Sequence, residues 1–164
     1  MQDCGTSERL CMVSVENKNM EQLILDRIQK VQERVPGSIG DILQYKLVRC
    51  DDENKTYYLR CSTQDWMRNP FGILHGGLCA TILDHAMGII AYCVRPGKGQ
   101  VPTINLQVSY HRPLIPGEDA LVAVKVISVT RSLITLSAVA SLPSAPEKAC
   151  MTATATFFYK PEQG

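Results

Sequence analysis

Two hydrophobic rhythms divide the chain. From Asn19 to Val35 the apolar residues Leu23, Ile24, Ile28, Val31 and Val35 recur at three- and four-residue spacing. Asn19 can cap the start, Glu21 and Asp26 suit the early turns, and Pro36-Gly37 ends the run. The pattern predicts an amphipathic helix that covers a sheet with its apolar face. Strand-like segments follow at 42–50 (ILQYKLVRC) and 56–62 (TYYLRCS), joined by Asp51-Asp52-Glu53-Asn54 into a hairpin. Beyond a loop through Asn69-Pro70-Phe71-Gly72, the helical rhythm returns from about Leu74 to Val94 and stops at Arg95-Pro96-Gly97. Between Leu78 and Val94 only Thr81, Asp84 and His85 are clearly polar, so this helix is apolar nearly all round and has to be enclosed.

The second half alternates with period two. Ile104, Leu106, Val108 and Tyr110 are interleaved with Thr103, Asn105, Gln107 and Ser109, and Met151, Ala153, Ala155 and Phe157 with Thr152, Thr154 and Thr156. Further strands are expected at 119–130 and 133–142. The connectors 112–118, 131–132 and 143–148 are too short for crossover helices, so these four strands pair antiparallel. Helix, two strands, buried helix and four strands predict an α+β fold: a curved antiparallel sheet of about six strands around one long helix, with the N-terminal helix as a cover. Residues 1–18 carry no sustained period and are expected to be a frayed leader, leaving 19–164 as one domain.

Composition narrows the partners. Of 164 residues, 17 are Lys or Arg and 16 are Asp or Glu, a net charge of +1 that gives no electrostatic footprint for nucleic acid. Aromatics make up 6% and Trp66 is the only tryptophan, too few for a base-stacking surface. The apolar stretch 78–94 holds Asp84 and His85 and falls short of the ~20 residues a membrane span needs, so no membrane association is expected. Seven cysteines, an odd number without a C-x-x-C pair, argue against a disulfide framework or a zinc site. With no secretory signal in the leader, a reducing compartment is expected, the cytoplasm or an equivalent organelle. Neither a metal-ligand cluster nor a dinucleotide fingerprint appears, so no metal and no cofactor is expected.

The chemistry concentrates in Asn69 to Asp84. Gly76-Gly77 at a helix start costs roughly 1 kcal/mol per glycine relative to Ala within a helix, which asks for an offsetting gain. Bare backbone N–H groups at a helix N-terminus favour a partly negative oxygen, and a polarised carbonyl is the natural guest. Eight residues later Asp84 sits among apolar neighbours, where desolvation would sharpen it as a base or nucleophile; the competing reading is a carboxylate that bonds a neighbouring side chain such as His85 or Tyr92. Eight residues place the two groups roughly 12 Å apart along one helix. A single reacting carbon must lie about 3 Å from both, so a two-fold dimer is expected to build the site across its interface.

Asn69, His75-Gly76-Gly77 and Asp84, followed by Val101-Pro102-Thr103-Ile104-Asn105 and Tyr110, resemble the hotdog-fold acyl-CoA thioesterases of the phenylacetic-acid-degradation (PaaI-like) family over roughly residues 42–159. The resemblance implies that the Gly76 N–H donates to the thioester carbonyl and that the Asn69 side chain holds that carbonyl or orients water. Asp84 of the other subunit would serve as general base or nucleophile, and the Thr103 hydroxyl would stand near the attacking water. It also implies that His75 and Gly77 help position the substrate, that Arg131 lies near the CoA arm, and that dimers pair into tetramers. Plainer readings stand beside these: His75 as a helix cap, Thr103 as an ordinary strand residue, Asn69 as a turn former and Cys79 as a small core residue. His85 and His111 receive no role. The expected function is hydrolysis of an acyl-CoA thioester to CoA and a carboxylic acid. The alternatives are a non-catalytic acyl-CoA-binding module, which should lack the acid, and a hotdog dehydratase, which would pair a histidine with an acid at a different spacing.

Overall fold

The computed structural model describes residues 19–97 and 99–161. The leader expected at 1–18 lies outside the described residues. Helix α1 spans Met20–Arg34, with the Asn19 side chain accepting the Gln22 N–H at 2.9 Å and Arg34 in the last turn, where the helix dipole favours a cation. Ile24 and Ile28 are buried on its inner face, which packs on the long central helix.

The region after α1 departs from the sequence reading. A strand from residue 42 is expected, yet Ser38-Ile39-Gly40-Asp41 forms a short capped helix, α2 (Ile39–Ile42), and the strand β1 begins only at Lys46 and runs to Asp51. The Ser38 hydroxyl accepts the Asp41 N–H, Asp41 Oδ2 accepts the Gly37 N–H at 2.8 Å, and Gln44 turns the chain with φ +43°. These local side-chain bonds win over the apolar pattern. Tyr45, expected in the strand, is buried and donates its hydroxyl to the Ile82 carbonyl at 2.7 Å, tying this turn to the central helix.

Strand β2 (Thr56–Cys61) completes the hairpin with β1 as expected, its turn closed by Asp51 Oδ1 accepting the Asn54 N–H at 3.0 Å. Helix α3 (Gly76–Val94) follows, then β3 (Thr103–Tyr110), β4 (Ala120–Val129), β5 (Leu133–Ser141) and β6 (Met151–Phe158). All pairings are antiparallel and the order across the sheet is β1-β2-β4-β5-β6-β3. Inward residues alternate cleanly: Tyr57, Leu59 and Cys61; Ala120, Val122 and Val124; Ile134, Leu136, Ala138 and Ala140; Met151, Ala153, Ala155 and Phe157 are buried. They meet α3, which packs against β2 through β6. This is the hotdog arrangement.

Although α3 is long and apolar enough to cross a membrane by length and composition, its Ile82, Leu83, Ala86, Met87, Ile89, Ile90 and Ala91 are buried within the protein. Its enclosure is one-sided, contrary to the pattern along the helix. Gly77 is exposed, and Thr81, Asp84 and Gly88, which follow at helical spacing, stay half-buried.

Candidate active site

The loop before α3 is built by Asn69. Its Oδ1 accepts the Phe71 N–H at 2.9 Å and the Ile73 N–H at 3.3 Å, while its backbone pairs with Ile73 and Gly72. Asn69 is therefore a turn former, as the plainer reading has it, and its side-chain NH₂ donates to nothing among the described residues. Gly72 closes the turn with φ +81°, a conformation glycine adopts without strain. His75 then caps α3: its Nδ1 accepts the Gly77 N–H at 3.0 Å. That bond occupies the second glycine's donor and leaves the first. The Gly76 N–H, at the first helical position, donates to nothing among the described residues.

Tyr110 at the end of β3 secures this turn by donating its hydroxyl to the Gly76 carbonyl at 2.8 Å. The nearest atoms to a Cβ built on Gly76 would be those of the Tyr110 ring and hydroxyl, at 3.7–3.8 Å. A hollow of about 420 Å³ opens here, with Asn69, Gly76, Cys79 and Tyr110 in its wall. Cys79 is buried, and burial pushes its thiol up to about 11, which suits a core residue and not a nucleophile.

Asp84 lies elsewhere. Its carboxylate Oδ1 accepts the Thr103 hydroxyl at 2.8 Å, and no cation forms a salt bridge with it among the described residues. Thr103 reaches it through an irregularity that simple alternation misses. Period two places Thr103 with Asn105, Gln107 and Ser109 on the outer face of the sheet. The register shift between Thr103 and Asn105 sets Thr103 opposite inward-facing Phe157, and with it on the helix side. Asp84 and Thr103 border a second hollow of about 190 Å³, shared with His85, Gly88 and Arg27.

The two hollows have no lining residue in common. One chain thus brings Gly76, Asn69 and His75 together, and separately brings Asp84 and Thr103 together. Arg131 joins neither group. It is exposed in the β4–β5 turn, its carbonyl accepting a bond from Arg95 just past the C-terminal end of α3. His85, given no role in the sequence reading, is a wall residue of the Asp84 hollow. Its place next to Asp84 in the chain is the signal that could have marked it.

A family model of the thioesterase superfamily matches residues 71–141, the stretch that carries α3 and strands β3 to β5. Over that stretch the chain is similar to the thioesterase superfamily. A curated relative, acyl-coenzyme A thioesterase 13 of Mus musculus, is 26% identical over 109 residues, 66% of this chain and 76% of that protein. Among solved structures, a phenylacetic acid degradation-related protein of Ralstonia eutropha superposes with a TM-score of 0.68 at 20% identity, covering 80% of this chain and 98% of that one. A Streptococcus mutans protein bound to acetyl CoA superposes at 0.61 with 16% identity, covering 73% and 91%. At these identities the structural matches establish the shared fold. In the superfamily frame, the matched segment takes in Gly76, Asp84 and Thr103 and leaves Asn69 just outside.

Proposed function

We propose that this chain is an acyl-CoA thioesterase whose working unit is a homodimer, with Gly76 of one subunit and Asp84 of the other meeting at one thioester. At the level of reaction class it is a thioester hydrolase. The observation that carries the finer reading is the Asp84 carboxylate. It stands on the open face of a mostly apolar helix, held by a hydroxyl and in no salt bridge among the described residues. A carboxylate kept in such a setting has no evident structural purpose. The name of the mouse relative and the acetyl CoA bound to the Streptococcus mutans protein support acyl-CoA as the substrate.

In this scheme Thr103 fixes one carboxylate oxygen of Asp84 and leaves Oδ2 for water. Asp84 takes a proton as the water oxygen bonds to the thioester carbonyl carbon. The negative charge that develops on the carbonyl oxygen is met by the Gly76 N–H at the positive end of α3, with the free Asn69 NH₂ as a second donor. Collapse of the tetrahedral species breaks the carbon–sulfur bond. The thiolate takes up the proton, giving CoA thiol and a carboxylic acid. His75 acts through its cap, holding the first turn so that the Gly76 N–H stays presented. Arg131, an exposed cation, is assigned to the CoA arm.

The dimer is supported by two features. Strand β3 is an edge of the sheet with Ile104 and Tyr110 more than half exposed, and an uncovered edge invites a partner strand. The open Gly77, Thr81, Asp84 and Gly88 side of α3 flanks it. Two such dimers would pair into a tetramer. A reducing compartment, cytoplasmic or organellar, fits the five described cysteines, all free thiols.

Asp84→Asn tests the reading, since it keeps the shape and the Thr103 contact and removes the base. Thiol release from the best acyl-CoA of a panel should fall by ~10²–10⁴-fold with melting temperature unchanged or raised. Wild-type turnover in Asp84→Asn would make the residue structural. Acyl-CoA binding without hydrolysis by the wild type would establish the non-catalytic module instead.

A further inference from the structure

A cavity of about 710 Å³ opens where α1, α2 and α3 meet, with Arg27, Lys30, Arg34, His85 and Tyr92 in its wall. Arg27, Val31 and His85 also border the hollow that holds Asp84 and Thr103, so the two spaces adjoin across these three side chains. Its chemistry is uneven. Val31, Val35, Ile39 and Tyr92 supply apolar surface, whereas the charged side chains are three cations, Arg27, Lys30 and Arg34, against the single acid Glu33.

Two buried atoms on this wall lack partners. Arg27 lies with its guanidinium 3.9 Å from the Tyr92 ring centroid, forms no salt bridge among the described residues, and has a buried Nε without a hydrogen bond. His85 keeps a buried Nδ1 that is likewise unpaired, beside the Tyr45 ring at 5.4 Å. Burial lowers the pKa of both groups. Buried polar atoms are nearly always satisfied, and the two residues that carry these unpaired atoms share one cavity wall. An arginine stacked on an aromatic ring, with no salt bridge among the described residues, suits a planar anion such as a carboxylate.

We propose that this cavity receives the acyl group of the substrate, and that the preferred acyl group carries a carboxylate at the end remote from the thioester. The inference rests on the thioesterase reading above and names its substrate class: ω-carboxyacyl-CoA. The methylene chain would run along the apolar wall from Asp84 toward Tyr92, two helical turns or roughly 12 Å further along α3, so a chain of medium length fits. Its carboxylate would accept from Arg27, with Lys30 and Arg34 adding charge at the mouth.

The test compares acyl groups matched in length, suberyl-CoA against octanoyl-CoA and sebacyl-CoA against decanoyl-CoA, by kcat/KM on the wild-type enzyme and on Arg27→Met and Arg27→Lys. The wild type should prefer the carboxylated member of each pair. Arg27→Met, which keeps the apolar stem, should lower that preference ratio at least about tenfold, and Arg27→Lys should keep part of it. A ratio within one preparation is insensitive to the folded fraction. Preference for the methyl-terminated member, or an equal loss on both members in Arg27→Met, would overturn the inference while leaving the thioesterase reading intact. Thermal shift with free suberate supplies an arm that does not depend on turnover. Stabilisation by suberate but not octanoate, lost in Arg27→Met, supports the pocket even if no thioester is hydrolysed, a result that would sink the thioesterase reading alone. No stabilisation and no turnover would sink both.

Discussion

At Gly76 a single methyl group separates two explanations of the same residue. The added Cβ comes no nearer than 3.7 Å to its closest neighbour, Tyr110, an ordinary contact distance, so Gly76→Ala should fold and melt no lower than wild type, with a gain of up to ~1 kcal/mol from a less flexible unfolded chain. If the Gly76 N–H holds the substrate oxygen, that methyl stands where the carbonyl must approach. Loss of such a donor is worth ~10²–10³-fold, and at least a tenfold fall in kcat is expected. Melting and thiol release measured on one preparation decide the matter, because a fully active Gly76→Ala enzyme removes the donor role. Residues differ in how openly the sequence announces them. Gly76 and Asp84 stand out because each breaks a local rule, glycine inside a helix and a carboxylate among apolar side chains. Thr103 breaks none; its approach to Asp84 depends on one register shift in β3, which period-two reading cannot see. Arg27 is silent for another reason. Its significance lies in stacking on Tyr92 from a different helix, a contact that no spacing within α1 records.

At the scale of elements, the contact between α1 and α2 is set by Gly40. A Cβ there would lie 2.4 Å from Val31 Cγ1, a distance real Cβ atoms essentially never show, and a tight 3.0 Å from the Val31 carbonyl. Gly40→Ala should therefore force the helices apart and cost about 1–3 kcal/mol, lowering Tm by roughly 2–4 °C per kcal/mol at this chain length. Gly88→Ala in α3 is the internal comparison: its Cβ would meet only Phe157, at 3.8 Å, and should raise Tm through helix propensity. Equal melting of the two variants would show that the α1–α2 contact adapts. The long elements were legible because their periods persist for many residues, as in α1, α3 and the four later strands. The short helix α2 was not, since four residues carry no period and Ile42 and Leu43 look the same in a strand. Its signal was chemical, Ser38 followed three residues later by Asp41, a cap outweighed by the neighbouring apolar run.

At the scale of the whole molecule, the groups of the proposed site fall into two separate places. Gly76 and Asn69 border one hollow and Asp84 and Thr103 another, with no wall residue in common. The separation was readable from the sequence as a length along one helix; which groups travel together was not. A chain with Asp84→Ala keeps its donor half, and a chain with Gly76→Ala keeps its acid half. Each homodimer should be nearly inactive. In a heterodimer, one of the two composite sites receives the intact Gly76 from one chain and the intact Asp84 from the other, while the second site receives both lesions. Random mixing should make half of the dimers mixed, so activity should recover to roughly one quarter of wild type, a value fixed by two-fold symmetry and independent of how the chemistry is done. Differently tagged chains, co-refolded and purified through both tags, raise the expected value to about one half. Doubly tagged dimers that fold, bind acyl-CoA and stay inactive would place donor and acid on the same chain and remove the composite site.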